Sequence, residues 1–356
     1  MREVKKLPAL DLYNGEGWVN IPALAALGCW CYVIVGKRQV GKTFGVLEHI
    51  ISNGGHFLYL RRTKEEFETI CSDPQFNPFI PLEKHGIKCD IAKASSKTWA
   101  IGGYETGENG EHTITEKLGV GITLASFANL RGFNGSGFTD MYLDEFIPEQ
   151  IVIQRKAEGD TLLNAYRTVS GNRELEGQPP LRLWLTANAF NIANPILREL
   201  GVIDIIAKLS ETGREWTMTD TGVFVGMPLS EKISAKQKST AFMRHMAQVK
   251  DSRFYAMAME NKFSYNDLSQ IRKMRTTAMH PVFQIGEVFV YQFSKDKYFA
   301  THERATIPER YKDDDTGRAK FRHNYPLFRL LFGVGQVWAN DIPTLIDLKN
   351  FLDIKV

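Results

Sequence analysis

Eight consecutive residues, Gly36, Lys37, Arg38, Gln39, Val40, Gly41, Lys42 and Thr43, fit the spacing G-x-x-x-x-G-K-[ST] without exception. The chemistry of that spacing is phosphate binding. Glycines let successive backbone N–H groups converge on anionic oxygens, and a helix opening at Lys42 adds the positive potential of its N-terminus. Lys42 then neutralises β- and γ-phosphate oxygens, and the Thr43 hydroxyl serves as a ligand for Mg²⁺. Further along, Met141-Tyr142-Leu143 is an apolar run ending in two acids, Asp144 and Glu145. Asp144 reads as the second Mg²⁺ ligand and Glu145 as the general base that polarises an attacking water. Two acids after a strand can also cap a helix, but the phosphate loop upstream favours the catalytic reading. The doublet separates the chain from small GTPases, and no guanine-reading motif is found in it.

Leu181–Thr186 is a third apolar run with a polar tip, Thr186 to Asn188. Asn188 or Thr186 could sense the γ-phosphate or the lytic water, and both also suit a strand-end turn. Phosphoryl transfer benefits from a cation on the developing charge. Arg38 could supply it from within the loop, whereas Arg131, Arg167 or Arg173 could act across a subunit boundary; each also fits a surface ion pair. Arg131 ranks first and Arg173 second. Tyr13 and Trp18 are candidates to stack on a nucleotide base.

These residues need strands that end together. From about residue 30 to 230, short apolar runs alternate with amphipathic stretches. Strands are expected at Cys31–Val35, His56–Leu60, Gly119–Ala125, Met141–Leu143 and Leu181–Thr186, with a helix over Lys42–Ser52. That alternation predicts an α/β fold with a mostly parallel sheet. Gly102–Gly121 reads as a hairpin or long surface loop.

The chain has 356 residues, 43% hydrophobic and 24% charged, enough for a sizeable core and more than one domain. A net charge of +3 is too small to name a nucleic-acid partner by itself. Four cysteines, Cys29, Cys31, Cys71 and Cys89, are too sparse for a disulfide scaffold and wrongly spaced for zinc, which suggests thiols in a reducing compartment. Trp18–Val35 is largely apolar and approaches the roughly 20 residues that span a bilayer, but Asn20, Pro22 and Gly28 interrupt it and it runs straight into the phosphate-loop motif. No transmembrane segment and no signal peptide are expected.

Composition shifts near residue 230. Glu231–Arg275 lacks Pro and suits helices; ten basic residues face four acidic ones, a balance of +6. It is the leading nucleic-acid candidate of the C-terminal half, against a plain solvated face. Gly102–Gly121, with Lys117 and the flanking Lys97, could also meet nucleic acid, although Glu105, Glu108 and Glu111 weaken that reading. Beyond Pro281, Val282–Phe293 alternates like one strand with Lys297–Thr301 as its hairpin partner, and Tyr311–Lys320 reads as a charged loop. The expected division is 1–230, a phosphate-loop ATPase domain; 231–265, a basic helical linker; and 266–356, a C-terminal domain.

The order of Gly36–Thr43, then Phe57-Leu-Tyr-Leu-Arg-Arg62, Leu130-Arg-Gly132, Leu143-Asp-Glu-Phe146 and Thr186-Ala-Asn188 resembles viral DNA-packaging ATPases, the large terminases. The likeness is greatest to the packaging motors of phi-twenty-nine type podoviruses, whose Asn-Arg-Glu run is matched at Asn172–Glu174. It covers residues 10–230 well and the remainder only by length and element order. It implies an additional-strand P-loop NTPase core, a small helical linker and an RNase-H-like α/β domain. It further implies ATP rather than GTP, with Mg²⁺, and a ring, a pentamer by resemblance, docked on the portal or connector of an empty capsid. That ring would pump double-stranded DNA in the host-cell cytoplasm, with a structural packaging RNA as a further partner. Lys42, Thr43, Asp144, Glu145 and Asn188 fall on the family's motifs, and Arg131 where a basic residue acts in trans. Gly171 stands where a trans-acting arginine is expected, leaving Arg173 of that pair.

Two-metal DNA cleavage needs several converging carboxylates. Glu287, Asp296, Asp313–Asp315, Asp341, Asp347 and Asp353 form no convincing cluster in the sequence, so the C-terminal domain is expected to bind DNA, portal or RNA without cutting. Three rivals stay open: a ring helicase or conjugation-type DNA pump, a terminase with an active nuclease, and a nucleotide-gated scaffold without turnover, against which Glu145 argues.

Overall fold

The computed structural model describes residues 9–127, 135–148, 157–189, 192–249, 255, 259 and 270–354. Those within 9–189, 194–200 and 205–259 form one compact unit, and those within 192–193, 201–204 and 270–354 a second.

Short, continuously apolar runs become strands only where both faces are covered, and the larger unit is built on that rule. Its strands are β1 (Cys31–Gly36), β2 (Phe57–Arg61), β3 (Asp90–Lys93), β4 (Thr98–Thr106), β5 (His112–Thr123), β6 (Asp140–Asp144), β7 (Arg182–Asn188), β8 (Trp216–Met218) and β9 (Val223–Gly226). Its helices are α1 (Ile21–Ala25), α2 (Lys42–Ser52), α3 (Lys64–Ser72), α4 (Leu124–Phe127), α5 (Glu158–Ser170), α6 (Pro195–Glu199), α7 (Ile203–Thr212, whose first two residues fall in the second unit), α8 (Glu231–Lys238) and α9 (Ala241–Met246).

The strands make one sheet in the order β3-β4-β5-β2-β6-β7-β1-β9-β8. Its six central strands, from β5 to β9, are parallel, and antiparallel pairing is confined to the two edges. β7 lies between β1, which leads into the Gly36–Thr43 loop, and the acidic strand β6. Every residue of β1 and β6 is buried. One face carries an aromatic core of Tyr32, Tyr59, Tyr142, Trp184 and Phe224, against which α2 sets Val46, Leu47 and Ile50. The Gly102–Gly121 segment is the β4–β5 hairpin.

The second unit carries β10 (His280–Ile285), β11 (Val288–Ser294), β12 (Lys297–Thr301), β13 (Glu309–Tyr311) and β14 (Val337–Ala339) in the order β13-β10-β11-β12-β14. Helices Asp315–Asn324, Phe328–Gly333 and Ile342–Phe351 supply Phe321, Phe328, Leu345 and Leu348 to its core around Phe283. Two expectations are corrected here. Val282–Phe293 is not one strand but parts of two, because Gly286 at φ +55° turns the chain between them. Residues from Asp315 to Lys320 are helix rather than loop, since the Asp314 carboxylate accepts from the Gly317 N–H at 2.7 Å and caps the first turn.

Candidate active site

Parallel register sets the site. Gly36 of β1 pairs with Asn188 of β7, and Asp144 of β6 pairs with Thr186. Leu60, one residue before Arg61, pairs with Leu143. The carboxyl ends of four adjacent strands therefore bring the phosphate loop, Arg61, the two acids and the β7 tip to one edge, where open α/β sheets bind ligands.

The loop turns sharply: Gln39 has φ +59° and Gly41 φ +82°, the left-handed region, before α2 begins at Lys42. A Cβ at Gly41 would be strained there and would also meet Trp18 at 3.4 Å. The Lys42 ammonium is buried under the loop and donates to the carbonyls of Gly36 at 3.2 Å and Lys37 at 2.5 Å. Burial pushes its pKa down to about 7; Asp144 and Glu145 oppose that fall, and Arg38 adds to it. The Lys37 side chain runs the other way and is also buried.

Asp144 is 4% exposed and surrounded by donors. Oδ1 accepts from Thr43 Oγ1 at 3.1 Å, Thr186 Oγ1 at 2.5 Å and the Glu145 N–H at 3.1 Å. Oδ2 accepts from Arg61 Nη1 at 3.1 Å and the Tyr59 hydroxyl at 3.4 Å. Glu145 follows with φ +53°, a conformation that costs a non-glycine residue about 1–3 kcal/mol. That turn swings its carboxylate out of the sheet, where Oε2 accepts from Arg61 Nη2 at 3.1 Å. Burial opposes the Arg61 charge, but Tyr59, Asp144, Glu145 and Glu66 together outweigh it and raise its pKa. Arg62 points away and grips Glu158 of α5 through Nε at 3.2 Å and Nη2 at 2.9 Å.

Thr43 and Asp144 offer an alcohol and a carboxylate oxygen side by side next to a phosphate loop. Hard oxygen donors of this kind suit Mg²⁺. Among the described residues, no group of three or more His, Cys, Asp or Glu side chains is placed to hold a metal ion.

The other sequence candidates are distributed as follows. Asn188 stands half-buried beside Gly36. Thr186 turns its hydroxyl onto Asp144. Arg38 and Arg167 are exposed. Arg173 Nη1 donates to the Phe138 carbonyl at 2.5 Å, bracing a turn of its own unit. Arg131 lies outside the described residues. The Tyr13 hydroxyl is engaged by Glu215 and by the N–H groups of Leu229 and Ser230, both at 2.8 Å. Trp18 remains 37% exposed beside Gly41. The sequence reading quoted Arg61 only within the Phe57–Arg62 run and gave it no role at the site.

Strand order and register together define a mixed α/β fold with a parallel-rich sheet, in which β7 lies between β1 and β6. No protein-family model and no curated protein matches the sequence. Among solved structures, the chain is similar to the phi28 gp11 DNA packaging motor, with 16% identity and a TM-score of 0.58 over 96% of this chain and 100% of that one. It is similar also to a chain of the bacteriophage phi29 viral genome packaging motor assembly, with 15% identity and a TM-score of 0.58 over 94% and 96% of the two chains. The fold is thus that of phage packaging motors along nearly the whole length of the chain.

Proposed function

We propose that this chain is the ATPase of a viral genome-packaging motor, hydrolysing Mg-ATP to translocate double-stranded DNA into a preformed capsid. The observation that carries the reading is the meeting of Lys42, Thr43, Asp144 and Glu145 at one sheet edge, in a fold shared with packaging motors.

In this reading the loop N–H groups and Lys42 hold the phosphates, and Thr43 and Asp144 hold Mg²⁺. A bound Mg²⁺ would supply positive charge that offsets the charge of the phosphates. Glu145 orients a water and takes its proton as the water oxygen bonds to the γ-phosphorus and the bond to the ADP oxygen breaks. Asn188 lies beside the loop to sense that change. The remaining cation comes from Arg38 in cis or from a neighbour in a ring, with Arg131 ranked before Arg173, whose bond to Phe138 already occupies part of it. The ring, a pentamer by resemblance, docks on the portal of the procapsid in the host cytoplasm, with packaging RNA as a further contact.

The second unit is proposed as a nuclease-like domain that binds nucleic acid or portal without cutting. Five of its carboxylates support that reading because they are already engaged. Arg318 pairs with Asp313 at 2.5 Å and Asp353 at 2.6 Å, His302 with Asp347 at 2.9 Å, and Asp314 and Asp341 cap helices. Basic residues from Glu231 onward are the proposed DNA contact.

The test is steady-state ATP hydrolysis by the wild type and Glu145→Gln, with and without double-stranded DNA and empty capsids. Slow basal turnover should rise when both are present, and the variant should bind ATP but turn over almost none. Turnover indifferent to DNA and capsids, or surviving the substitution, sinks the packaging reading.

A further inference from the structure

Two basic side chains leave the phosphate loop in opposite directions. Lys42 folds under it onto backbone carbonyls, while the Lys37 side chain, 1% exposed, reaches α8 and donates to Ser234 Oγ at 2.6 Å. That hydroxyl is itself fixed, because it donates to the Leu229 carbonyl at 3.0 Å. The start of α8 is pinned in turn. Ser230 Oγ donates to the Gly17 carbonyl at 2.5 Å and accepts from the Ile233 N–H, capping the helix. Lys232 Nζ reaches the Gly15 carbonyl at 2.6 Å, and Gln237 Nε2 donates to Gln39 Oε1 at 3.1 Å on the outer side of the loop.

We infer that Ser234 is a positioning residue for the phosphate loop, acting through the buried ammonium of Lys37. The inference rests on the reading of Gly36–Thr43 as an ATP site. Lys37 stands one residue after the strand, and its carbonyl is one of the two that Lys42 Nζ occupies. Fixing the Lys37 side chain on a capped helix fixes the orientation of that carbonyl and of the N–H groups that follow it. Such a contact preorganises the loop for phosphates and touches neither the water nor Glu145. It therefore belongs to nucleotide affinity rather than to the chemical step. Linkage makes the coupling reciprocal: whatever displaces α8 alters ATP affinity by the factor that ATP alters the displacement.

The test is calorimetric binding of a non-hydrolysable ATP analogue with Mg²⁺. Ser234→Ala and Lys37→Met should each weaken binding about tenfold, or ~1.4 kcal/mol. The double variant should also lose about tenfold rather than a hundredfold, because both changes break one contact. Turnover at saturating ATP should stay within about twofold in Ser234→Ala, an interaction lost equally from ground and transition states. Should Ser234→Ala fail to fold, Ser234→Cys, of similar size but a weaker acceptor, takes its place with the same expectation. Wild-type affinity in the Ser234 variant, or losses that multiply in the double variant, overturns the inference alone. A wild type that binds no nucleotide removes the ATP-site reading along with it.

Discussion

Arg61 holds Glu145 and Asp144 with one guanidinium: Nη2 lies 3.1 Å from Glu145 Oε2 and Nη1 lies 3.1 Å from Asp144 Oδ2. The proposed base and the proposed Mg²⁺ ligand are thereby oriented by a single side chain that is 12% exposed. Removing one partner of a buried pair leaves the other charge uncompensated, at a cost of about 3–5 kcal/mol. Glu145 is 57% exposed and Asp144 keeps four other donors, so the lower end applies. Arg61→Gln should lose about 3 kcal/mol of unfolding free energy in denaturant titrations and at least about tenfold in kcat. A variant of wild-type stability and turnover would show that this fork orients nothing.

Thr186 gives a narrower test of the same carboxylate. Its hydroxyl lies 2.5 Å from Asp144 Oδ1 and 2.8 Å from the Tyr142 hydroxyl, all of it buried. Thr186→Val keeps the shape and deletes the donor. Residues that orient a metal ligand typically affect metal affinity or activity by about 10–100-fold. The Mg²⁺ concentration for half-maximal turnover should rise about tenfold. An unchanged Mg²⁺ dependence would mean that Asp144 does not need Thr186 to face the ion.

These two residues mark what the sequence could and could not carry. The loop and acidic doublet were legible because each is a contiguous run, and β1, β2, β6 and β7 because buried parallel strands are nearly uniformly apolar. Arg61 was visible within the Phe57–Arg62 run, but its role was not, since a basic residue after Phe57–Leu60 reads as a strand boundary. Only the β2–β6 register sets it beside Asp144. Thr186 was legible as a polar tip but not as a partner of Asp144, for the same reason. The contact from Ser234 to Lys37 joins residues 197 positions apart, beyond any local pattern. In the second unit, alternation ran through the Gly286 turn unbroken, and three consecutive aspartates hid a helix cap among apparent loop charges.

The far end of β6 offers a control. Asp140 is fully buried and accepts from Arg182 Nη2 at 2.7 Å, Trp184 Nε1 at 2.8 Å and Thr139 Oγ1 at 2.8 Å. It sits at the amino end of the strand whose carboxyl end carries Asp144. Asp140→Ala should cost about 3 kcal/mol by stranding a guanidinium and an indole N–H. Nucleotide affinity, measured where the variant is still folded, should not change. A parallel loss of affinity would mean that the sheet transmits strain along β6 rather than holding its two ends independently.

Lys42 should make the proposed nucleotide site sensitive to pH in a definite direction. Burial lowers its pKa from the usual ammonium range to about 7, so in the nucleotide-free protein it is charged below that pH and neutral above it. A phosphate requires the ammonium, and binding above pH 7 must therefore take up a proton. Apparent affinity should be fully expressed below pH 7 and weaken as pH rises through it, approaching tenfold for each further unit, or ~1.4 kcal/mol. ATP titrates in the same range, so the comparison that isolates Lys42 is Lys42→Arg, whose charge persists throughout. Calorimetry in buffers of different ionisation enthalpy should find uptake approaching one proton at pH 8 in the wild type beyond that in the variant. Equal proton uptake in both proteins, with parallel affinity profiles, would mean that Lys42 is already charged in the nucleotide-free loop. The two carbonyls that hold it would then be stabilising an ammonium rather than sheltering an amine.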